Sequence, residues 1–438
     1  DVFNCKDVPS GIQSANVTLN GDVGSVRIIN DDSGTDSSDL SVTIADSADV
    51  GELVFTGDAS VSVNGIVDAI TGTMIGPITI GDGAYVGIGD GFFLGDGSEL
   101  VNGGSIGVSD ANGLKAALVA GGVIEVNDDI ETSEVKPFYI TSDTTINGNG
   151  HSVTSTSTEQ SSRVFSITGA NSDYVIPSDS IVTINDLEVV GPTVVNYTRG
   201  ITVHDTVGLV LNINGGSVSA GAYAINIGGG NSGLTLNVSG TTVSGWCAFQ
   251  THSMVTEANF TDCVLIGTNI QENPASNGFS TIVINDEAVN ASEASGDLLF
   301  DGCTIVANMT TKATQMAIDI RSMKNSTITL RGSEIDMSET TAPMICMAAT
   351  NSIIIDGVLD VEGTATIFSE NPEDGGTVTG GTISLDENDI LILNNGTSYV
   401  GKITGPDRTI MDLNLVAGEG GVKISVGSFI IDGAGSGT

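Results

Sequence analysis

The chain is poor in basic residues. Only 13 Lys and Arg stand against 54 Asp and Glu among 438 residues, which gives a formal net charge of −41. Nucleic acids and anionic membrane surfaces are bound through basic patches, so this composition argues against both as partners. No run of the sequence approaches the ~18 apolar residues of a membrane helix, and we expect no membrane span. The acidity either keeps the protein soluble or attracts divalent cations that would let copies of the chain associate.

Aromatic residues and proline are also scarce. Aromatic side chains make up 4% of the chain, with Trp246 as the one tryptophan, whereas carbohydrate-processing grooves commonly use aromatic platforms. Nine prolines and 58 glycines, together with abundant serine, threonine and valine, are typical of short strands joined by tight turns. We therefore expect an all-β protein.

The five cysteines include no Cys-x-x-Cys pair and do not flank the three histidines at zinc spacing, so we expect no structural zinc site. Cys263 and Cys303 each follow a phenylalanine by three residues. If their repeats are adjacent coils, the two cysteines form either a disulfide or a stacked pair of buried free thiols. Cys5 is our candidate for an intermolecular disulfide.

One short phrase recurs through residues 184–383. It consists of an apolar residue, a polar residue, a turn residue, two variable positions and a second apolar residue. Successive copies are mostly 22–30 residues apart. A period in this range is typical of a solenoid, in which each repeat buries its apolar side by stacking on its neighbours. The copies begin at Ile184, Ile213, Val238, Phe260, Phe300, Leu330, Ile355 and Val378.

Residues 110–120 contain the one good helix pattern, with Gly121-Gly122 as its stop. A strand pattern follows at 123–126, and residues 145–151 read Thr-Ile-Asn-Gly-Asn-Gly-His. This order resembles the entry segment of right-handed parallel β-helices of the pectate-lyase-like superfamily. The resemblance covers about residues 106–400. It implies a parallel β-helix, or β-solenoid, with one short capping helix at its entry.

We divide the chain into a β-rich N-terminal segment at 1–105, the solenoid at 106–400, and C-terminal strands with a Gly/Ser tail at 401–438.

Three Gly-Asp-Gly steps in the first segment are centred on Asp82, Asp90 and Asp96. They are either tight β-turns or ligands of a Ca²⁺ ladder, and Ca²⁺ is the one cofactor that the sequence offers. The tail shows no helix pattern, so we expect a bare strand edge at the C-terminal end of the solenoid.

The resemblance also implies what an enzyme of this kind would need. Its hydrolases use carboxylates near Gly-His-Gly and Arg-x-Lys, and its lyases use a Ca²⁺-binding Asp cluster with a basic residue. This chain has Gly-His-Ser around His151, and Arg321 and Lys324 are one residue too far apart. Asp319 and Arg321 share a strand face near Lys324, as the best catalytic candidate or as an ordinary surface ion pair. We assign no catalytic residue and expect that the protein is not an enzyme.

The sequence favours a location outside the cell. The chain begins at Asp1 without methionine, from which we expect either a processed mature form or a trimmed chain, and we favour secretion. Eight Asn-x-Ser/Thr sequons are candidate glycosylation sites. They are Asn16, Asn196, Asn237, Asn259, Asn290, Asn308, Asn325 and Asn395.

We expect a structural protein that assembles with copies of itself into an extracellular sheath, S-layer or filament, through strand edges and disulfides. The acidic, lysine-poor, Gly/Ser/Thr/Val-rich composition resembles that of archaeal cell-envelope proteins. The alternatives are a β-helical adhesin that binds surface polysaccharide, and a polysaccharide lyase or hydrolase whose catalytic motif has diverged from the family pattern.

Overall fold

The computed structural model describes residues 2–4, 14–29, 39–89, 91–95, 98–170, 173–193, 197–251, 255–268, 280–284, 297–308, 316–320, 327–340, 344–347, 352–369, 376–386, 389–393, 397–405, 411–416, 422–425 and 436–437. These residues form 44 strands and one helix, so the predicted all-β class is confirmed. The chain divides into two compact units. Unit 1 comprises Asp1–Thr132, Lys136–Thr154 and Ile181–Glu188, and unit 2 comprises Ser133–Val135, Ser155–Ser180 and Val189–Thr438.

The elements up to the helix are β1 (Val2–Asn4), β2 (Ser14–Leu19), β3 (Val23–Ile29), β4 (Asp39–Ile44), β5 (Asp49–Asp58), β6 (Ser60–Val63), β7 (Ile66–Ile75), β8 (Pro77–Ile80), β9 (Tyr85–Ile88), β10 (Phe93–Leu94), β11 (Glu99–Asn102), β12 (Ser105–Val108) and α1 (Ala111–Ala120). The next strands are β13 (Gly122–Val126), β14 (Ile130–Thr132), β15 (Phe138–Ile140), β16 (Thr144–Asn147), β17 (Ser152–Ser155), β18 (Arg163–Thr168), β19 (Ile181–Asn185), β20 (Glu188–Val190), β21 (Arg199–His204), β22 (Val210–Asn214), β23 (Ser217–Ser219), β24 (Tyr223–Ile227), β25 (Leu234–Ser239), β26 (Thr242–Gly245), β27 (Cys247–Thr251), β28 (Val255–Thr261), β29 (Val264–Gly267) and β30 (Ile282–Ile284). The last are β31 (Asp297–Asp301), β32 (Thr304–Ala307), β33 (Ile318–Ile320), β34 (Thr327–Arg331), β35 (Glu334–Met337), β36 (Ile345–Met347), β37 (Ser352–Asp356), β38 (Val358–Ser369), β39 (Thr377–Leu385), β40 (Ile390–Leu393), β41 (Ser398–Thr404), β42 (Met411–Val416), β43 (Val422–Ser425) and β44 (Ser436–Gly437).

Unit 1 is built from coils of parallel strands that form two sheets. One sheet has five strands in the order β2-β4-β6-β8-β11. The other joins β1, β3, β5, β7, β9, β12, β13, β16 and β19 through parallel pairs. Apolar residues stack in register across the five-stranded sheet, as in the column Val17, Val42, Val61, Ile78 and Leu100. The segment predicted only as β-rich therefore already has the coiled, parallel arrangement.

The predicted helix is present as α1, and the ladder of strands runs past it. The carboxylate of Asp110 accepts a hydrogen bond from the backbone N–H of Gly113 at 2.6 Å, and Gly121 ends the helix with a φ of 69°. Buried Leu114 and Leu118 belong to a helix that packs against β11 and β15. The helix therefore lies next to the last strand of the five-stranded sheet, while β12 pairs with both β9 and β13. Coils begin before the helix, and the domain boundaries drawn from the sequence stay predictions.

Three ladders of parallel strands run through unit 2. The first is β22-β25-β28-β31-β34-β37-β39-β41. The second is β23-β26-β29-β32-β35-β38. The third is β18-β21-β24-β27-β30-β33-β36-β38-β40. The parallel β-solenoid predicted from the period is confirmed by this register.

The recurring phrase marks a corner in each coil. Both apolar residues of every copy are buried, and the turn residue has a positive φ. That left-handed conformation lets the chain turn sharply between two short strands, and glycine adopts it without steric cost. The corner residues are Asp186 (46°), Gly215 (70°), Gly240 (57°), Asp262 (51°), Gly302 (62°), Gly332 (50°), Gly357 (84°) and Gly380 (86°).

Aromatic side chains fill the middle of unit 2. The rings of Phe260 and Phe300 stack with centroids 5.1 Å apart and planes inclined by 16°, and Phe249 packs edge-on against Phe260 at 5.1 Å. All three are fully buried. Because Phe260 and Phe300 are register partners on β28 and β31, the core is a stack of like residues from successive coils.

Antiparallel strands lie at the C-terminal end of the ladders. Strand β42 pairs with β41, and β43 pairs with β40, both in antiparallel orientation, and β44 pairs with β42. Strands of the same chain therefore lie along β40 and β41, and β43 has β40 as its single strand partner among the described residues, so an open strand edge at this end stays a prediction. Within the described ranges, no helix has the length and hydropathy needed to cross a membrane.

Replacing Gly332 by alanine should lower the free energy of unfolding by about 1–2 kcal/mol, because its φ of 50° lies in the left-handed region. No atom lies within 4 Å of the added Cβ, so the loss reports the backbone conformation rather than a clash. Gly229→Ala is the matched control, since its site is equally open and its φ is not positive. Urea denaturation followed by circular dichroism measures both, and equal losses would contradict the corner assignment.

Candidate functional site: side-chain columns and end strands

Of the three aspartates predicted to form a calcium ladder, the structure describes Asp82 alone. Asp82 is exposed in the turn between β8 and β9, where the backbone N–H of Ala84 donates to the carbonyl of Gly81 at 3.1 Å. Gly83 has a φ of 76°, so this Gly-Asp-Gly step is a tight turn. Asp90 and Asp96 lie outside the described residues. Among the residues that are described, no three His, Cys, Asp or Glu side chains are grouped to hold a metal ion, and the Ca²⁺ site stays a prediction.

The catalytic candidates are likewise described only in part. Asp319 lies on β33, where it is 6% exposed and in register with Val283 and Cys346. Arg321 and Lys324 lie outside the described residues. Asp319 is thus a buried residue of the third ladder, which does not fit the reading as a surface ion pair.

The third ladder carries a row of polar residues that the sequence analysis missed. Ser166, Thr202, Asn226 and Gln250 are register partners on β18, β21, β24 and β27, and each is at most 2% exposed. Nδ2 of Asn226 donates to Oε1 of Gln250 at 2.7 Å, and Nε of Arg199 donates to Oδ1 of Asn226 at 2.9 Å. The Asn226–Gln250 bond joins two neighbouring coils, whereas the buried hydroxyls of Ser166 and Thr202 have no hydrogen-bond partner among the residues that the structure describes. Because the row is buried, a polysaccharide cannot reach it. Its sequence signal is a polar residue at a fixed offset inside otherwise apolar strands.

Small hydrogen-bond donors follow the corner residue in four consecutive coils. They are Thr241, Cys263, Cys303 and Ser333. Each donates to a carbonyl of the preceding coil, at 3.0, 3.4, 3.3 and 3.0 Å in that order. Each also donates to the carbonyl two residues earlier, at 2.9, 3.3, 3.5 and 3.1 Å. Cys263, Cys303 and Ser333 use equivalent carbonyl groups, those of Val238, Phe260 and Phe300, whereas Thr241 uses that of Gly215. Hydroxyl and thiol thus do the same work at the turn, where the ladder is interrupted.

Cys263 and Cys303 lie in adjacent coils, as the sequence analysis assumed, and both are buried free thiols in this structure. The side-chain hydrogen bond between the two thiols, followed by burial, raises the pKa of Cys303, and the same hydrogen bond lowers the pKa of Cys263. Disulfide formation starts from a thiolate, and within this pair Cys263 is the thiol that provides it more readily. The disulfide stays a prediction, and Cys5 lies outside the described residues.

Asparagines form a further column and involve two of the sequons. Nδ2 of Asn237 donates to Oδ1 of Asn212 at 2.9 Å, and Nδ2 of Asn259 donates to Oδ1 of Asn237 at 3.1 Å. A glycan on Asn237 or Asn259 would break this column. Asn16 and Asn308 are exposed and better placed for modification. The remaining predicted sites, Asn196, Asn290, Asn325 and Asn395, lie outside the described residues.

Charged residues stack in the same way. Nη1 of Arg331 lies 3.1 Å from Oδ2 of Asp301 in the preceding coil, and its Nε lies 2.8 Å from Oδ2 of Asp356 in the next. Asp356 and then Asp301 raise the pKa of Arg331. All three side chains are substantially exposed, so solvent screens the attraction and its contribution to stability is small. The pairs favour one register of the three coils over others.

An acidic group on the second ladder contrasts with that arrangement. Glu334 faces Asp360, and Asp336 faces Glu362, across β35 and β38. Repulsion from Asp336, followed by burial and by the other nearby carboxylates, raises the pKa of Glu362. This part of the surface is therefore destabilised by its own charge at neutral pH.

The ladders end in different ways within the described residues. Strand β11 lies next to α1, and β40 and β41 are paired by antiparallel strands of the same chain. Strand β2, at the other end of the five-stranded sheet, has a single strand partner, β4.

Comparison with known proteins gives no relative from which a fold or function could be assigned. No protein-family model, curated protein or solved structure matches it. The solenoid assignment therefore follows from strand register and burial, and no activity is carried over from a relative.

Substituting Ser333 by alanine should cost about 1–3 kcal/mol of unfolding free energy, because the carbonyl of Phe300 loses its buried donor. The backbone N–H of Cys303, which donates to Oγ of Ser333 at 3.2 Å, loses its acceptor as well. Ser333→Cys should be far milder, since cysteine fills this position in two neighbouring coils. Urea midpoints measure both, and an alanine variant as stable as the cysteine variant would refute the donor role.

Glu362→Gln should raise the melting temperature at pH 7, because it removes the repulsion that raises the pKa of Glu362. A raised folded-state pKa means that the fold gains stability as pH falls toward the ordinary value of 4.5 and loses it as pH rises. The difference between variant and wild type should therefore vanish below about pH 4.5. Glu159→Gln, an exposed site in the same unit, is the control for calorimetry at both pH values. A pH-independent difference would count against repulsion as the cause.

Proposed function

We propose that this protein is a secreted structural subunit that assembles with copies of itself at the cell surface, as part of an extracellular sheath, S-layer or filament. The observation that supports this most is the stacking of coil upon coil through parallel strand pairs, with polar and charged columns that bond neighbouring coils. A stack of this kind is rigid and repetitive, and strand edges allow it to be extended by another chain.

The acidic charge fits an assembly that depends on its ionic surroundings. Each copy carries a formal charge of −41, so two copies repel one another at low ionic strength. Salt screens that repulsion, and divalent cations such as Ca²⁺ neutralise part of it. Assembly outside the cell would meet both conditions.

The nearest specific candidate is the tubular cell-sheath protein of methanogenic archaea, on grounds of composition and architecture. A subunit of that kind implies amyloid-like, cross-β stacking into hoops or tubes that resist chemical attack. Disulfides through Cys5 would add covalent links between subunits.

A structural role is preferred to the enzymatic and adhesive alternatives. The buried polar row of the third ladder is closed to solvent, and Asp319 is buried between its register partners Val283 and Cys346. Neither arrangement favours a site that binds or cleaves a polysaccharide.

Negative-stain electron microscopy of the purified chain, with and without Ca²⁺ and with and without reductant, tests the proposal. We expect ordered polymers once the charge is screened, with reductant weakening those held by disulfides. Monomers under every condition would overturn it. Binding or turnover of polyuronates by such monomers would favour the adhesin or the enzyme instead.

A further inference from the structure

The open end of the five-stranded sheet is strand β2. It pairs with β4 through all six of its residues, Ser14 to Leu19. No other described strand pairs with it. In a β-strand the backbone groups of alternate residues point to opposite sides, so half of its N–H and C=O groups face away from β4. These groups form a template for another strand.

The burial of residues along the sheet shows that β2, its end strand, has no described strand on its outer side. Val42 and Val61 are 1% and 2% exposed, and each has a strand on both sides. Val17 stands in the same column on β2 and is half-buried. Leu19 is 9% exposed, whereas its partner Ile44 is fully buried. One further strand would bury Val17 as the flanking strands β2 and β6 bury Val42.

In a chain that carries no glycan on Asn16, the side chains of β2 offer no protection against pairing. Its sequence is Ser-Ala-Asn-Val-Thr-Leu, without a charge or a proline, in a chain with 67 charged residues (13 + 54). Natural edge strands are commonly guarded by charges or proline. In unit 2, the strands that pair with β41 and β40 carry such charges, Asp412 on β42 and Lys423 on β43.

We propose that β2 pairs with β2 of a second copy, antiparallel across a two-fold axis. This deepens the proposed function by naming the joining strand. A second copy is the favoured occupant because β2–β2 pairing brings no charged side chain to the seam, whereas pairing with β42 or β43 would bring Asp412 or Lys423. The ladder then continues from one copy into the next and gives the outward backbone groups of both strands their partners.

The register follows from the pleat. Opposite residues of an antiparallel pair point to the same face, so an inward residue must face an inward residue. Among the registers that meet this condition, we centre the axis on the half-buried Val17, which pairs residues whose numbers add to 34. Val17 then faces Val17 of the second copy, with Cα atoms ~4.5–5.5 Å apart. That separation lies within the range of a disulfide.

Site-directed crosslinking tests the register. In a Cys5→Ser background the four other cysteines are buried, so Val17→Cys introduces the reactive thiol. Under copper–phenanthroline at high salt, Val17→Cys should give a reducible dimer on denaturing gels. Thr18→Cys is the matched control, because residue 18 would face residue 16 and its thiols would lie too far apart. Crosslinking of Thr18→Cys as strong as that of Val17→Cys, or none at Val17, would overturn the pairing.

Sedimentation equilibrium of the uncrosslinked chain gives a second measurement. Val17→Lys places two like charges opposite one another and should weaken dimerisation about tenfold or more, which is 1.4 kcal/mol or more. Val101→Lys, at an exposed position of β11, should leave the dimer constant unchanged. Circular dichroism confirms that both variants fold. Unaltered dimerisation of Val17→Lys would refute the seam.

The outcomes separate this inference from the proposed function. Polymers that form equally well with Val17→Lys would leave the structural role standing and reject the β2 seam. A crosslinked, salt-dependent dimer that never extends into polymers would support the seam and reject the sheath, layer or filament. A chain that stays monomeric at all salt concentrations would reject both.

Discussion

The structure depends on one constraint: backbone hydrogen bonds hold successive coils ~4.8 Å apart. At that spacing, the nearest neighbours of a side chain are the residues at the same position one coil earlier and one coil later. Each position must therefore hold a residue that packs well against a similar residue at the same position of the next coil. Phe260 meets this condition by stacking its ring on Phe300, and Asn237 by bonding to Asn212 and Asn259. The corners meet it with residues that tolerate a left-handed backbone, coil after coil.

The same constraint limits where the chain can carry charge. Carboxylates at one position of adjacent coils repel each other, as around Glu362, unless a base stands between them, as Arg331 does between Asp301 and Asp356. With 54 acidic and 13 basic residues, most carboxylates cannot be neutralised within the chain. Solvent screening must do the rest, which links the stability of the coils to the salt around them.

The corners could be predicted from the sequence because each is a local signal: an apolar residue, a polar residue and a glycine or aspartate. Helix α1 was equally local, with Asp110 and Gly121 at its ends. The coils before α1 lack the fixed phrase, since their turns use other residues and their strands reach ten residues, so only their β-character was visible. The strands that cover β40 and β41 depend on distant pairing, which no local pattern specifies. The row through Asn226 and Gln250 was hidden because polar residues in strands ordinarily face solvent.

Helix α1 has a consequence for how the chain finds its fold. Rungs of a solenoid are nearly interchangeable, so a strand that docks one rung out of place loses little and becomes a kinetic trap. In unit 1 the place beside β11 is filled by a helix, which no strand can imitate. The helix therefore fixes which strand ends the five-stranded sheet, and so sets the register of the strands before it. Whole coils could be added or lost away from the helix without changing the strand that lies next to it. This gives such a protein a simple way to change length.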